Sequence, residues 1–293
     1  MPKVADNEWY QLLVQQRKKT VGAGRAGRGG RWGEPARLAL LLGQPYRWSS
    51  LFLRMSHTIF ALHYWAGAGR EFNALRPLLP AGVELLAPDL PGFGRQSAPA
   101  GFDYSLRAYA DWLAEYIRQH QRTDFTLLGH SMGGKIALAL AARRPLGLGQ
   151  LVLLSPSPPS PEPMSDHDRA AALAAFGKPG EAAKTFRKIT QQALPAAQQA
   201  AVIADNLRCR RRAWNAWLEQ GSREDISAQL GPIEVPCHLL VGAADRAITP
   251  ATQRRYTLPV LPPGTAFTEL PGAGHLLPLE AAQAVADALR NGE

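Results

Sequence analysis

Residues 125–134 read Phe-Thr-Leu-Leu-Gly-His-Ser-Met-Gly-Gly, and this stretch decides how the chain is expected to fold. The apolar run 125–128 predicts a buried strand, and apolar residues at helical spacing begin after Gly133. Between them stands Gly-x-Ser-x-Gly, the pattern of a sharp strand-to-helix turn whose glycines remove Cβ atoms that would clash there. Such a turn exposes the serine hydroxyl at the end of the strand. Ser131 is therefore the predicted nucleophile.

Further apolar runs on both sides of this turn predict the other strands of one sheet. They are apolar throughout and alternate with segments of helical spacing, which is typical of parallel strands covered by helices on both faces. We therefore predict the α/β class, with a doubly wound, mostly parallel sheet whose active site lies at the carboxyl ends of the strands. The predicted strands are residues 58–62, 83–87, 125–128, 151–154, 238–241 and 266–270, and the predicted helices are 72–79, 105–119, the segment after Gly133, 252–256 and 280–290.

The alternation of strands and helices is interrupted once and is absent from the beginning of the chain. Residues 156–231 have helical spacing but no strand signal, so we expect a helical cap inserted into a core made of residues 55–155 and 232–293. Residues 1–54 are basic, rich in Gly and Arg, and without sustained periodicity, which predicts an N-terminal extension. We hypothesise that Met55 is the natural start.

The positive charge of the chain is concentrated in this predicted extension. Residues 1–54 hold 10 Lys and Arg against 3 Asp and Glu, a net +7 out of +9 for the whole chain. A solvated basic tail binds phosphate nonspecifically at most, so we expect no nucleic-acid partner. No charged segment followed by a long apolar segment opens the sequence, and the apolar runs are too short to span a bilayer. We therefore expect a cytoplasmic protein with no membrane partner.

Two sequence features could suggest a cofactor or a metal, and both lack the necessary context. Gly22, Gly24 and Gly27 form Gly-x-Gly-x-x-Gly, but a dinucleotide site needs a buried strand before the glycines and a helix after them. The flanking residues are polar on one side and rich in Arg and Gly on the other. Cys209 and Cys237 are too far apart for a metal or redox motif and too few for a disulfide framework. We expect no cofactor and no metal.

A serine nucleophile needs a base and an acid, and the chain offers both in the expected order. The base removes the serine proton, and the acid fixes the tautomer of the base and stabilises its cation. His275 follows the last predicted strand in a Gly-rich loop, and Asp245 follows the strand before it. The rival acid position, after strand 151–154, offers only Ser and Pro before Glu162. We predict a catalytic triad of Ser131, Asp245 and His275.

The negative charge that develops on an attacked carbonyl oxygen needs N–H donors nearby. Met132, at the start of the predicted helix, and Trp65, in the loop after the first strand, can supply them from their backbone N–H groups. We also predict substrate contacts from Trp65, Met132, Trp214 and Trp217, although aromatic residues at helical spacing more often belong to a core. His63 is predicted to brace its loop rather than to act on substrate.

Five short motifs follow one another along the chain: His63-Tyr64-Trp65, residues 89–97 (DLPGFGRQS), residues 129–134 (GHSMGG), residues 242–245 (GAAD) and residues 272–275 (GAGH). On these motifs, the chain from residue 57 onward resembles an α/β-hydrolase of the bacterial esterase type. The resemblance implies attack on an ester or similar acyl carbonyl, an acyl-enzyme on Ser131, and hydrolysis by water without a cofactor. It also places Tyr64 where the family usually has glycine, which is expected to narrow the loop that holds Trp65.

Three functions remain open at this point. The first is hydrolysis of a small carboxylic ester by a serine enzyme. The second is hydrolysis of a carbon–carbon bond or perhydrolysis, because enzymes of both kinds share the triad and the fold. The third is a noncatalytic binding protein that retained the fold. The expected partner is a small-molecule ester, and the expected state is a monomer or a homodimer.

Overall fold

Six parallel strands form the centre of the part of the chain that the computed structural model describes, residues 57–290. Their order across the sheet is β2-β1-β3-β4-β5-β6, and all five neighbouring pairs are parallel. This arrangement confirms the predicted doubly wound α/β sheet. The strands are β1 (Thr58–Leu62), β2 (Glu84–Leu86), β3 (Phe125–His130), β4 (Leu148–Leu154), β5 (Cys237–Gly242) and β6 (Ala266–Leu270).

Several predictions concern residues before this part of the chain. The N-terminal extension 1–54, the start at Met55 and the glycines Gly22, Gly24 and Gly27 lie outside the described residues. They stay predictions.

The two faces of the sheet bury alternate residues of each strand. In β1, Phe60 packs into the apolar core on one face, whereas Ile59 packs into the core on the other face. Leu127 and Leu128 of β3 divide between the two cores in the same way. This is the period of two that a strand imposes on its side chains. Because both faces are covered, the central strands are apolar throughout.

Helices cover the sheet on both sides. Leu106 and Leu113 of α1 and Ile136 of α2 belong to the first core, and Val285 and Leu289 of α9 belong to the second. The helices are α1 (Leu106–Gln119), α2 (Met132–Ala141), α3 (Asp166–Ala174), α4 (Pro179–Ile189), α5 (Ala196–Arg208), α6 (Arg211–Ala216), α7 (Pro250–Thr252), α8 (Leu277–Glu280) and α9 (Ala282–Arg290).

Helices α3 to α6 all lie between β4 and β5, where the sequence has helical spacing without a strand signal. The two ends of this segment run side by side, since the Ile226 N–H donates to Pro159 O at 2.8 Å. The buried Lys135 ties both ends to α2, because its Nζ donates to Ser160 O at 3.2 Å and to Glu224 O at 2.6 Å. The boundaries 156 and 231 of the cap stay predictions.

Three predicted helices differ from the structure in their form. The segment predicted as 72–79 consists of two 3-10 turns, Gly69–Ala74 and Arg76–Leu78. Pro77 lacks the N–H that an α-helix would need in the second turn. The helix near 252–256 is the short α7, continued by the π-turn Gln253–Thr257. The closing helix predicted at 280–290 begins two residues later as α9, since Ala281 leaves the helical region with φ −142° and ψ 39° and separates it from α8.

Candidate active site

Ser131 lies between β3 and α2 in a strained backbone conformation. Its φ of 52° and ψ of −115° are unusual for a residue with a side chain and cost free energy. Two hydrogen bonds hold this conformation: the Ser131 N–H donates to Leu154 O at 3.0 Å, and Ser131 O accepts from the Ser157 N–H at 2.9 Å. The turn is therefore fixed against the end of β4. Ser131 is 8% exposed, so it lies almost completely beneath the surrounding chain.

The glycines on either side of Ser131 allow other chain segments to approach the turn. A Cβ on Gly129 would lie 2.6 Å from the Cα of Gly134. A Cβ on Gly133 would lie 2.8 Å from His63 O and would also overlap Leu62 O. Real Cβ atoms do not come this close to backbone, so both positions require glycine. The close approach at Gly133 also places the loop after β1 directly beside Ser131.

Asp245 and His275 are in contact. Asp245 Oδ2 lies 2.7 Å from His275 Nδ1, and both residues are buried. The other carboxylate oxygen, Oδ1, accepts from the N–H groups of Ala247 at 2.8 Å and Ile248 at 3.0 Å. This arrangement orients the carboxylate toward the ring. It favours Asp245 over Glu162 as the acid.

The contact also shifts the pKa values of both groups. Burial alone would lower the pKa of His275, but the Asp245 carboxylate beside the ring raises it above the ordinary histidine value. Burial alone would raise the pKa of Asp245, but His275 and the Ile248 N–H lower it. The pair is therefore arranged to stabilise a proton on His275.

The structure brings His275 next to the turn that holds Ser131. His130, the residue before Ser131, has its Nε2 2.8 Å from His275 O, and the centroids of the two rings are 5.0 Å apart. The three predicted triad residues thus follow β3, β5 and β6 at the same edge of the sheet. This is the placement that the sequence predicts, and their joint catalytic role stays a prediction.

Two residues that the sequence reasoning missed fix the main chain around His275. Glu280 accepts from the N–H groups of Gly274 at 3.2 Å and Leu276 at 3.0 Å. Ile189, at the end of α4, accepts from the His275 N–H at 2.8 Å. Neither residue belongs to a local motif, so no sequence signal indicated them. The inserted helical segment therefore contributes directly to the placement of His275.

Met132 and Trp65 have the backbone positions expected of oxyanion donors. Met132 is the first residue of α2, so its N–H has no partner within the helix. Trp65 lies in the loop after β1, just before Ala66, which has a positive φ of 65°. Within residues 57–290, neither N–H donates to another protein group. Both groups are free to donate to a ligand, and their role stays a prediction.

His63 braces the loop after β1. It is fully buried, and its Nε2 accepts from the Leu90 N–H at 2.9 Å. Its proton therefore lies on Nδ1, which donates to Tyr64 O at 2.7 Å. Asp89 holds the same two loops together, since it accepts from the Gly69 N–H at 2.8 Å. With both ring nitrogens engaged, His63 is placed as a brace.

Tyr64 directs its ring into an apolar cluster. The cluster contains Phe186 of α4, Val202 of α5 and Leu276. A Cβ on Gly67 would lie 2.5 Å from the Tyr64 ring, so the loop folds closely around this side chain. The ring thus occupies space between the loop after β1 and the inserted helices.

The aromatic residues predicted to contact substrate differ in their burial. Trp214 and Trp217 are 2% and 4% exposed and belong to the apolar core. The Trp214 indole N–H donates to Ala172 O at 3.2 Å. Trp65 is only partly buried and packs on Trp214 with ring centroids 4.2 Å apart. Within residues 57–290 the buried indole N–H of Trp65 has no hydrogen-bond partner.

Two further features of residues 57–290 bear on the predictions. No group of three or more His, Cys, Asp or Glu side chains in this part of the chain is arranged to hold a metal ion. None of its helices combines the length and the hydropathy needed to cross a membrane. Cys209 and Cys237 are buried free thiols, and burial raises the pKa of each to about 12.

Comparison with known proteins identifies the family. The sequence profile of the alpha/beta hydrolase family matches residues 57–288. The chain belongs to the alpha/beta hydrolase family. A pimeloyl-[acyl-carrier protein] methyl ester esterase of Aromatoleum aromaticum is 30% identical to it over 223 residues, which cover 69% of this chain and 84% of that protein. The protein of the same name from Neisseria meningitidis serogroup C is 32% identical over 209 residues, covering 68% of this chain and 78% of that protein.

Solved structures of other proteins have the same fold as this alpha/beta hydrolase. An esterase from Exiguobacterium antarcticum superposes with a TM-score of 0.72 at 20% identity, covering 80% of this chain and 91% of that chain. A bromoperoxidase from Bacillus anthracis superposes with a TM-score of 0.70 at 18% identity, covering 81% and 91%. At these identities the likeness shows the fold alone.

Proposed function

We propose that this alpha/beta hydrolase is a serine esterase that cleaves a small carboxylic ester through an acyl-enzyme on Ser131. The observation that carries the proposal is the buried contact of 2.7 Å between Asp245 and His275, next to a serine held in a strained turn. A buried carboxylate in this position fixes the proton of a neutral imidazole on Nδ1 and leaves Nε2 free to accept a proton. Ester cleavage by the related proteins from Aromatoleum and Neisseria supports the same assignment.

The reaction follows from these positions. Ser131 Oγ attacks the ester carbonyl carbon while His275 Nε2 takes the hydroxyl proton, and the backbone N–H groups of Met132 and Trp65 stabilise the oxyanion. The bond between the carbonyl carbon and the alcohol oxygen then breaks, and His275 returns the proton to the leaving alcohol. Water attacks the acyl-enzyme in the same way and releases the carboxylic acid. Ser131 regains its proton, and no cofactor is consumed.

The relatives indicate the class of ester. Their names describe a methyl ester of a pimeloyl group on acyl carrier protein. We infer that the leaving group here is likewise a small alcohol such as methanol. The partly buried ring of Trp65, in the loop after β1 that packs against Gly133, suits an aliphatic acyl chain. A cytoplasmic location, a monomeric or homodimeric state and the absence of nucleic-acid and membrane partners are part of this proposal.

Labelling with a fluorophosphonate probe tests the nucleophile. The wild-type enzyme is expected to form an adduct on Ser131, and Ser131→Ala is expected to form none. Ser157→Ala is a matched control, because Ser157 is also buried and its hydroxyl has no partner within residues 57–290. An adduct that survives Ser131→Ala would overturn the proposal.

An activity screen tests the substrate class. Methyl and p-nitrophenyl esters of increasing acyl length are assayed beside vinylogous diketones and a perhydrolysis assay. The proposal predicts turnover of the esters that is lost in Ser131→Ala. Activity on the diketones alone would favour the carbon–carbon bond hydrolase instead, and no turnover of any substrate would favour a binding protein.

A further inference from the structure

Three buried groups form a hydrogen-bonded chain behind the proposed base. Glu71 Oε1 lies 2.9 Å from His130 Nδ1, and His130 Nε2 lies 2.8 Å from His275 O. Glu71 belongs to the 3-10 turn after β1, His130 ends β3, and His275 follows β6. These hydrogen bonds therefore link the turn that holds Glu71 and the end of β3 to the main-chain carbonyl of His275, at the carboxyl edge of the sheet.

The carbonyl oxygen of His275 determines where the protons of His130 and Glu71 lie. A carbonyl oxygen only accepts hydrogen bonds, so His130 Nε2 must carry a hydrogen. If the ring is neutral, Nδ1 is an acceptor, and Glu71 must be a protonated acid that donates to it. If the ring is cationic, Glu71 must be a carboxylate ion. The two alternatives are a neutral pair and an ion pair.

Burial favours the neutral pair. The side chains of His130 and Glu71 are 0% and 5% exposed. Glu71 Oε2 has no hydrogen-bond partner within residues 57–290, which would be far more costly for a carboxylate ion than for a neutral acid. Burial accordingly raises the pKa of Glu71 to about 8 and lowers the pKa of His130 to about 3. Both shifts leave the pair uncharged at pH 7.

A neutral His130 suits its position next to the proposed base. The centroids of His130 and His275 are 5.0 Å apart, and His275 becomes cationic while it holds the serine proton. A second imidazolium at this distance, with both rings buried, would repel that charge and oppose the proton transfer. An acid-imidazole pair without net charge avoids this repulsion and still donates to His275 O.

We propose that Glu71 and His130 are positioning residues: a protonated Glu71 donates to a neutral His130, which holds the main chain of His275 without placing a charge beside it. This inference rests on the proposed function, because it requires His275 to act as the base. Glu71 and His130 do not exchange protons with the substrate in this scheme. They act only through the geometry and the electrostatic surroundings of His275.

Nitrogen NMR of the wild-type enzyme tests the protonation state directly. With ¹⁵N-labelled histidine, and with His130→Gln to assign the signal, His130 is expected to show a protonated Nε2 and an unprotonated Nδ1 at pH 7. A doubly protonated ring, or a ring protonated on Nδ1 only, would overturn the proposal. This measurement needs no variant of Glu71 to fold.

Two substitutions of Glu71 test the positioning role. Glu71→Gln keeps an N–H donor toward His130 Nδ1 and is expected to retain kcat within about threefold. Glu71→Leu removes the donor, and loosening of the base is expected to lower kcat about 10- to 100-fold with little change in KM. Glu115→Gln, on the exposed surface of α1, is the control. A Glu71→Gln variant as impaired as Glu71→Leu, or a Glu71→Leu variant with wild-type kcat, would refute the inference.

The rate of fluorophosphonate labelling distinguishes failure of this inference from failure of the proposed function. If Ser131 of the wild-type enzyme is not labelled, the proposed function is wrong, whatever the state of His130. If the wild type and Glu71→Gln are labelled at similar rates and Glu71→Leu more slowly, both proposals are supported. Equal labelling of all three proteins would overturn the positioning role and leave the nucleophile in place.

Discussion

Substitution of Asp245 by asparagine is the sharpest test of the site, because the structure indicates how the amide must orient. Asp245 Oδ1 accepts two backbone N–H groups, from Ala247 and Ile248. In Asp245→Asn the amide oxygen must remain there, since an NH₂ group facing two donors would cost about 1–3 kcal/mol for each mispaired contact. The NH₂ group is then forced toward His275 Nδ1, 2.7 Å from the position of the second oxygen.

This orientation gives His275 the wrong tautomer. Nδ1 must accept from the amide, so the proton moves to Nε2, which can no longer take the proton of Ser131. We expect kcat to fall by roughly 10⁴, which corresponds to about 5.5 kcal/mol of transition-state stabilisation. The fold should persist, because the hydrogen bonds from Ala247 and Ile248 are retained.

The assay is kcat on the best ester found in the screen, with thermal unfolding measured alongside. Asp287→Asn is the matched control, because Asp287 is exposed on α9 and its side chain, within residues 57–290, is paired only with Gln283 and Arg290 of the same helix. We expect it to have wild-type activity. An Asp245→Asn enzyme that keeps kcat within about tenfold of wild type would refute the reasoning.

Three other outcomes are expected. The rate of ester hydrolysis should fall on acidification, because His275 must be neutral to act as base. The midpoint should lie above pH 6.5, because the Asp245 carboxylate raises the pKa of His275 above that ordinary histidine value. A rate that is constant from pH 5 to 8 would contradict this. Gly133→Ala should lower the free energy of unfolding, measured by urea titration, by about 1–3 kcal/mol, because the added Cβ would overlap backbone atoms. The control Gly180→Ala should show no such loss, because a Cβ there meets nothing within 4 Å. Glu280→Gln should lower both the free energy of unfolding, by about 1–3 kcal/mol, and kcat, because its NH₂ group would face a backbone N–H in the His275 loop. Glu219→Gln, on the exposed surface, should match wild type. Equal urea midpoints and equal kcat for the two variants would show that the carboxylate of Glu280 is not needed.

The strands were predictable because their signal is local. The predicted bounds 58–62 and 266–270 coincide with β1 and β6, and the other strands differ only at their ends. Fully covered strands must be apolar throughout, and this requirement is written into consecutive residues. The short helix predicted at 72–79 consists of two 3-10 turns, and apolar spacing does not reveal this form or the break between the turns.

The network around His275 could not be predicted in the same way. His130 contacts His275 across 145 positions, and Glu71 contacts His130 across 59. A glutamate in a turn and a histidine beside a serine have no pattern that pairs them. Their contact exists only because β1, β3 and β6 end at the same edge of one sheet.

By itself the sequence determined the class of fold, the turn at Ser131 and the order of the serine, the acid and the histidine, since each depends on residues adjacent in the chain. Only the tertiary structure decided that Ile189 of the inserted segment accepts from the His275 N–H, and that Glu280 accepts from the N–H groups on either side of it. The physical reason is that hydrogen bonding in a buried site depends on distances between atoms. Those distances are set by how the strand ends and the inserted helices pack together.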